Sequence, residues 1–204
     1  MRLTLAVGVT AAGSVLPPLI VYKAKVSGRI IRETRDYPEG CSYATQPNAW
    51  MDERVCMQWV DEVVTPWVAT APEHIVPMLI LDSYRCHLME SVVTKIQDLG
   101  VEVKHIPGGL TSLCQPVDVG INKPLKNRIR RKWEQYMIYI GIEQVKTQPP
   151  SRQMMAQWCI DSLNDLGATV VQNAWKKTGY SYFPNEAGLT TNTEDEDPRD
   201  LMFV

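Results

Sequence analysis

Apolar positions fall into short runs and helical stripes separated by turn residues. Residues 3–9 and 16–23 are apolar runs joined by Thr10-Ala11-Ala12-Gly13-Ser14, which predicts a hairpin turning near Gly13. Pro17 and Pro18 predict that its second strand starts late or lies at an edge. Residues 27–49 carry Gly28, Pro38, Gly40, Pro47 and Asn48 and read as loop, with a short strand around 41–45. Trp50, Val55, Trp59, Val63 and Val64 roughly follow an i, i+4 pattern, which predicts a helix capped by Asn48 and ended by Pro66. Val76-Pro77-Met78-Leu79-Ile80-Leu81 reads as a buried strand. Residues 87–99 read as a helix with Leu88, Val92, Ile96 and Leu99 on one face and Gly100 as its stop, and 101–106 as another strand. Strand, helix and strand in that order predict a βαβ unit with parallel pairing. Residues 117–139 are helical, with Leu125, Ile129, Trp133, Tyr136 and Ile140 on one face and Pro124 as a kink or a first-turn residue. Two more helices are predicted over 151–166 and 168–177, with Trp133, Trp158 and Trp175 in the core. The stretch 185–200, with Glu194-Asp195-Glu196-Asp197, predicts a disordered acidic tail. The alternation of strands and helices predicts an α/β protein.

A chain of 204 residues, 45% hydrophobic, can bury one sizeable core. Its net charge of −2 excludes a chain that is basic overall, so any contact with nucleic acid must be local. Lys123, Lys126, Arg128, Arg130, Arg131 and Lys132 crowd one stretch of the long helix. They read as a phosphate-contacting face, as a plain solvated face, or, over 126–132, as a nuclear import signal. No apolar run approaches the ~20 residues of a membrane-spanning helix, so no membrane partner is expected. The apolar N-terminal run reads as a strand rather than a secretory segment. Five cysteines without a C-x-x-C pair predict reduced thiols. Cys86-His87 with His105 lacks the four-ligand spacing of a zinc site. No glycine-rich phosphate loop follows a strand.

Asp82 ends the apolar strand, and Asp118 stands just before the basic helix. Carboxylates that converge on one point hold Mg²⁺, which prefers hard oxygen donors. In two-metal phosphodiester chemistry one ion activates the attacking water or 3′-hydroxyl and the other steadies the leaving oxygen. A carboxylate at the C-terminal end of a strand lies at the rim where open α/β sheets bind ligands. The plainer readings are loop-entry polarity for Asp82, a helix cap for Asp118 and a packed core histidine for His87.

Two motifs carry a family resemblance. Leu79-Ile80-Leu81-Asp82 followed by His87 is similar to the second-acid motif of the pogo-like (Tigger-like) branch of the mariner transposase superfamily, which are DDE-type endonucleases. Ile106-Pro107-Gly108-Gly109-Leu110-Thr111-Ser112-Leu113-Cys114-Gln115-Pro116-Val117-Asp118-Val119-Gly120 resembles its third-acid motif. Residues 1–21 resemble the family's hairpin between its first and second acids, and Asn48-Ala49-Trp50-Met51 its helix entry. The likeness covers roughly residues 1–140. It implies an RNase H-like mixed sheet with flanking helices and DNA strand cleavage and joining with Mg²⁺ or Mn²⁺. Asp82 and Asp118 would be the second and third metal ligands, His87 a catalytic neighbour, and Gln115 a residue that sets the turn. DNA is the implied partner and the nucleus the implied location; self-association stays open. The family's first Asp lies on a strand before the segment matched by residues 1–9, and Ser83 stands where the family usually has Asn. The expectation is therefore an N-terminally truncated core over 1–145, a helical segment over 146–184 and a tail over 185–204, without cleavage by this chain alone. The alternatives are a non-catalytic domesticated nuclear DNA- or protein-binding module, or a transposon remnant.

Overall fold

The computed structural model describes residues 2–143, 148–180 and 201–203. β1 (Leu3–Ala6) and β2 (Val9–Thr10) are halves of one strand broken at Val7-Gly8. β3 (Leu19–Lys23) runs antiparallel to β1, with Leu3 opposite Tyr22, so the expected hairpin forms. Its turn depends on Gly13, which has φ +100°; a Cβ there would also come within 3.0 Å of Ala168. The loop-like stretch that follows holds an unforeseen short helix, α1 (Arg29–Glu33), none of whose residues is buried. β4 (Ser42–Gln46) is the expected short strand and pairs parallel to β3.

α2 (Glu53–Trp59) starts later than expected. Its cap is Asp52, whose Oδ1 accepts from the Val55 N–H at 2.9 Å, and not Asn48. Trp50 therefore lies outside the helix and is 52% exposed. Pro66 does not end the helix. A π turn, Val60–Val64, precedes α3 (Thr65–Val68) and shifts the backbone register so that proline falls in a first turn.

β5 (Met78–Leu81), a 3₁₀ turn over Arg85–Leu88, α4 (Glu90–Gln97) and β6 (Glu102–His105) form the expected βαβ unit, with Met78 opposite Glu102 in parallel pairing. The helix begins at Glu90 instead of His87, which leaves Leu88 52% exposed. α5 (Thr111–Cys114) leads to a second π turn, Val117–Ile121, and then to α6 (Asn122–Glu143). Pro124 again sits in the first turn behind a π turn. α7 (Arg152–Asn164) and α8 (Ala168–Thr178) match the two expected helices, and Gly179 closes α8 at φ +75°. β7 (Leu201–Phe203) completes the described elements.

The strands form two small sheets, ordered β1-β3-β4 and β2-β7-β5-β6. β7 is antiparallel to β2 and parallel to β5. A disordered tail was expected over 185–204. Residues 185–200 lie outside the described residues, but 201–203 are a strand, because their backbone pairs the facing edges of β2 and β5.

Alternation along the strands buries both faces. Leu79 and Leu81 of β5, with Leu19 and Val21 of β3, pack on Val55, Trp59, Val63, Val92 and Ile96. Ile80 points the other way, into Val117, Ile121, Leu125, Val171 and Trp175. Helices α2–α4 thus cover one face and α6–α8 the other, in a mixed α/β architecture. Trp175 is a fully buried core residue, as expected, while Trp133 is 44% exposed and Trp158 packs edge-on against Tyr136. Trp133 stays half-exposed while Leu125 and Ile140 of the same helix are buried.

Candidate functional site

Asp82 follows β5, and its side chain is caught locally. Its Oδ1 accepts from the Tyr84 N–H at 3.0 Å and contacts His87 Nδ1 at 2.7 Å. The 3₁₀ turn after β5 brings His87 back onto Asp82, and His105 Nε2 lies 2.9 Å from the His87 carbonyl. The Ser83 hydroxyl donates to the Ile106 carbonyl at the end of the neighbouring strand. Serine at this position ties the rims of β5 and β6 together.

Burial alone would drive His87 toward neutrality. The hydrogen bond to Asp82, assisted by Cys86, instead lifts it from 6.5 to about 9. Burial likewise works against ionised Asp82, but His87 and the Tyr84 N–H hold its carboxyl below the usual range. The Cys56 thiol is raised well above its ordinary value by its hydrogen bond to Cys86 and by burial. The same contact draws Cys86 down to about 5 against the cost of burial. At neutral pH Asp82 and His87 are therefore an ion pair. We expect the His87 ring to titrate near pH 9 by NMR in the intact protein. In Asp82→Asn, with burial no longer opposed by the carboxylate, its midpoint should fall by more than one unit. A midpoint near 6.5 in the intact protein would contradict this.

Asp118 lies in the π turn before α6 and is exposed, with Oδ1 accepting from Asn122 Nδ2 at 2.6 Å. One cleft of about 280 Å³ is lined by Asp82, His87, Gln115, Asp118 and Asn122, with Leu5 and Val7 of the bent strand and the rings of Trp50 and Tyr84. Asp82, His87 and Asp118, separate in the chain, are thus brought together, and the buried Gln115 joins them. The motif reading did not signal Asn122 as a partner of Asp118; its i+4 spacing was the available clue. Trp50 was read as the first position of a helical pattern, so its place at the cleft was missed. A larger hollow of about 720 Å³ between α6 and α7 touches neither Asp82 nor Asp118, and the Lys132 on its wall is already paired with Asp161.

A divalent ion suits these two acids in kind. Both are hard oxygen donors, and the Oδ2 of each makes no hydrogen bond among the described residues. Among those residues no third acid joins them to make a three-ligand group. Two carboxylates supply only part of the ~six oxygen ligands that Mg²⁺ takes.

The six cations of α6 do not act as one face. Lys132 Nζ pairs with Asp161 at 3.2 Å, and Arg128 donates to the Asp165 carbonyl at 3.3 Å, so both turn toward α7. Lys123, Lys126 and Arg130, at i, i+3 and i+7, share an exposed stripe, with exposed Arg131 to one side.

The family model for DDE superfamily endonucleases matches residues 1–175. The chain belongs to this family. Its relatives include mouse "Pogo transposable element with KRAB domain", 26% identical over 96% of this chain and 30% of that protein. "ARS-binding protein 1" of Schizosaccharomyces pombe is also 26% identical, over 96% of this chain and 38% of that protein. Mouse Jerky protein is 30% identical over 60% of this chain and 22% of that protein. The chain spans about a third of the length of the first relatives it matches. No solved structure matches it. Among the described residues, no helix is long and apolar enough to cross a membrane.

Proposed function

We propose that this chain is a DNA-binding, transposase-derived DDE domain with an RNase H-like core, acting in the nucleus. The observation that carries the reading is the single cleft uniting Asp82 and Asp118 beside the exposed stripe of α6. Their placement, after a strand and at a helix start, suits a carboxylate pair at the rim of an α/β sheet. The antiparallel β1–β3 hairpin and the parallel β5–α4–β6 unit support the RNase H-like reading. The name of "ARS-binding protein 1" favours DNA as the partner.

Asp82 and Asp118 would hold Mg²⁺ or Mn²⁺, which when bound supplies Lewis-acid stabilisation of charge on a phosphodiester. His87 holds Asp82 in its rotamer and balances its charge when no cation is near. Gln115 and Asn122 fix the π turn and the Asp118 carboxylate. Lys123, Lys126, Arg130 and Arg131 contact phosphates without reading sequence. Strand cleavage belongs to the ancestral activity and needs a third acid besides these two. A non-catalytic binding module is the second reading, favoured by the 2.7 Å contact through which His87 already occupies Oδ1 of Asp82.

Fluorescence anisotropy of a labelled duplex tests the proposal. The chain should bind duplexes of unrelated sequence comparably and weaken steeply with added salt. No binding at low ionic strength would sink it.

A further inference from the structure

Cys56 sits on α2, while Cys86 and His87 sit on the 3₁₀ turn after β5. The three meet in the core behind the acid cleft, only 0%, 3% and 5% exposed. The two sulfurs and a ring nitrogen of His87 all lie within 4.8 Å of one another. The proposed function uses only His87 of the three.

Two thiols and an imidazole are the donors of a thiophilic ion, since soft sulfur ligands select copper(I) and zinc(II) over magnesium. With bonds of about 2.3 Å to sulfur and 2.0 Å to nitrogen, donors of one ion stand a little under about 4 Å apart. The observed group is at most slightly wider, a gap that small χ1 adjustments of the two cysteines can close. The His87 ring is already held by Asp82 at 2.7 Å, as carboxylates orient metal-ligating histidines elsewhere. No fourth histidine, cysteine or acid belongs to the group among the described residues. The donor set therefore suits a three-coordinate ion, or a tetrahedral one completed by water.

We infer that Cys56, Cys86 and His87 form a binding site for one thiophilic d¹⁰ ion, zinc(II) or copper(I), which ties α2 to the turn that positions Asp82. As the three bonds form, any proton on either thiol and the proton on the metal-binding ring nitrogen of His87 pass to solvent, and no electron is transferred. The inference does not rest on an ion at Asp82 and Asp118 or on DNA binding, so its failure would leave the proposed function standing.

Cadmium(II), titrated into the reduced chain without oxygen, tests the inference. A thiolate-to-metal charge-transfer band should saturate at one ion per chain and persist under excess Mg²⁺. The Cys56→Ser/Cys86→Ser variant should lose it, and Cys41→Ser/Cys159→Ser should keep it. Native mass spectrometry of the unsubstituted chain gives a second reading that no variant's folding can confuse, with one retained zinc expected per chain. No band at saturating ion, a band unchanged in the first variant, or neither a single-zinc nor a single-copper adduct would each overturn the assignment.

Discussion

Gly120→Ala is expected to destabilise the protein and displace Asp118 together. Gly120 lies in the π turn Val117–Ile121, and a Cβ built there falls 2.5 Å from Ala174 Cβ and 3.0 Å from Ala174 Cα. Ala174 is buried in α8, within the cluster that holds Ile121, Leu125 and Trp175. The clash is with helix backbone, so a rotamer change cannot relieve it, and the turn must move away from α8. Overpacking of this kind costs about 1–3 kcal/mol. At roughly 2–4 °C per kcal/mol for a chain of this size, the thermal midpoint should fall by several degrees. Ala174→Gly, added to Gly120→Ala, should recover part of the loss, giving a favourable coupling energy in the double-mutant cycle. Additive losses would show that close approach to Ala174 is not the reason for glycine.

Reversing charge on the outer stripe of α6 should have the largest effect on binding. In Lys123→Glu/Lys126→Glu/Arg130→Glu, three exposed cations become anions while Arg128 and Lys132 keep their contacts with α7. Each phosphate contact adds about −0.9 to the slope of log affinity against log salt, so losing three should flatten it by nearly three. The affinity at low salt should fall by at least two orders of magnitude. Arg128→Ala is the comparison: it should lower stability slightly and leave the salt slope nearly unchanged. Equal effects from the two variants would mean that α6 contacts DNA in some other way.

Some of these features could be read along the chain, and the physical reasons differ. Asp82 and Asp118 were legible because each ends or begins an element with a distinct pattern, an apolar strand and a Gln-Pro-x-Asp turn. The βαβ unit followed from a period switching between strand and helix, and Gly100 marked its helix end through its φ of +80°. The start of α2 was misplaced because Asn48 and Asp52 both offer capping oxygens, and only the backbone path through Ala49, at φ 58°, decides between them. Pro66 looked like a stop because a π turn leaves no mark in periodicity over five residues. The Cys56–Cys86–His87 group was invisible for a similar reason. Its members come from α2 and the turn after β5, and only tertiary packing closes the distance. The splitting of the α6 cations into two faces needed the position of α7, which no local pattern supplies.

In the proposed function the acid cleft and the cationic stripe handle DNA together. Two carboxylates leave most of an octahedral ion's positions to other oxygens, and a phosphate bound along α6 can fill one of them. The most direct measurement is the affinity of the chain for duplex DNA with and without Mn²⁺ at constant ionic strength, in the intact protein and in Asp118→Asn. Mn²⁺ should tighten binding several-fold in the intact protein and have no such effect in Asp118→Asn. The same Mn²⁺ response in both proteins, or none in the intact one, would contradict it.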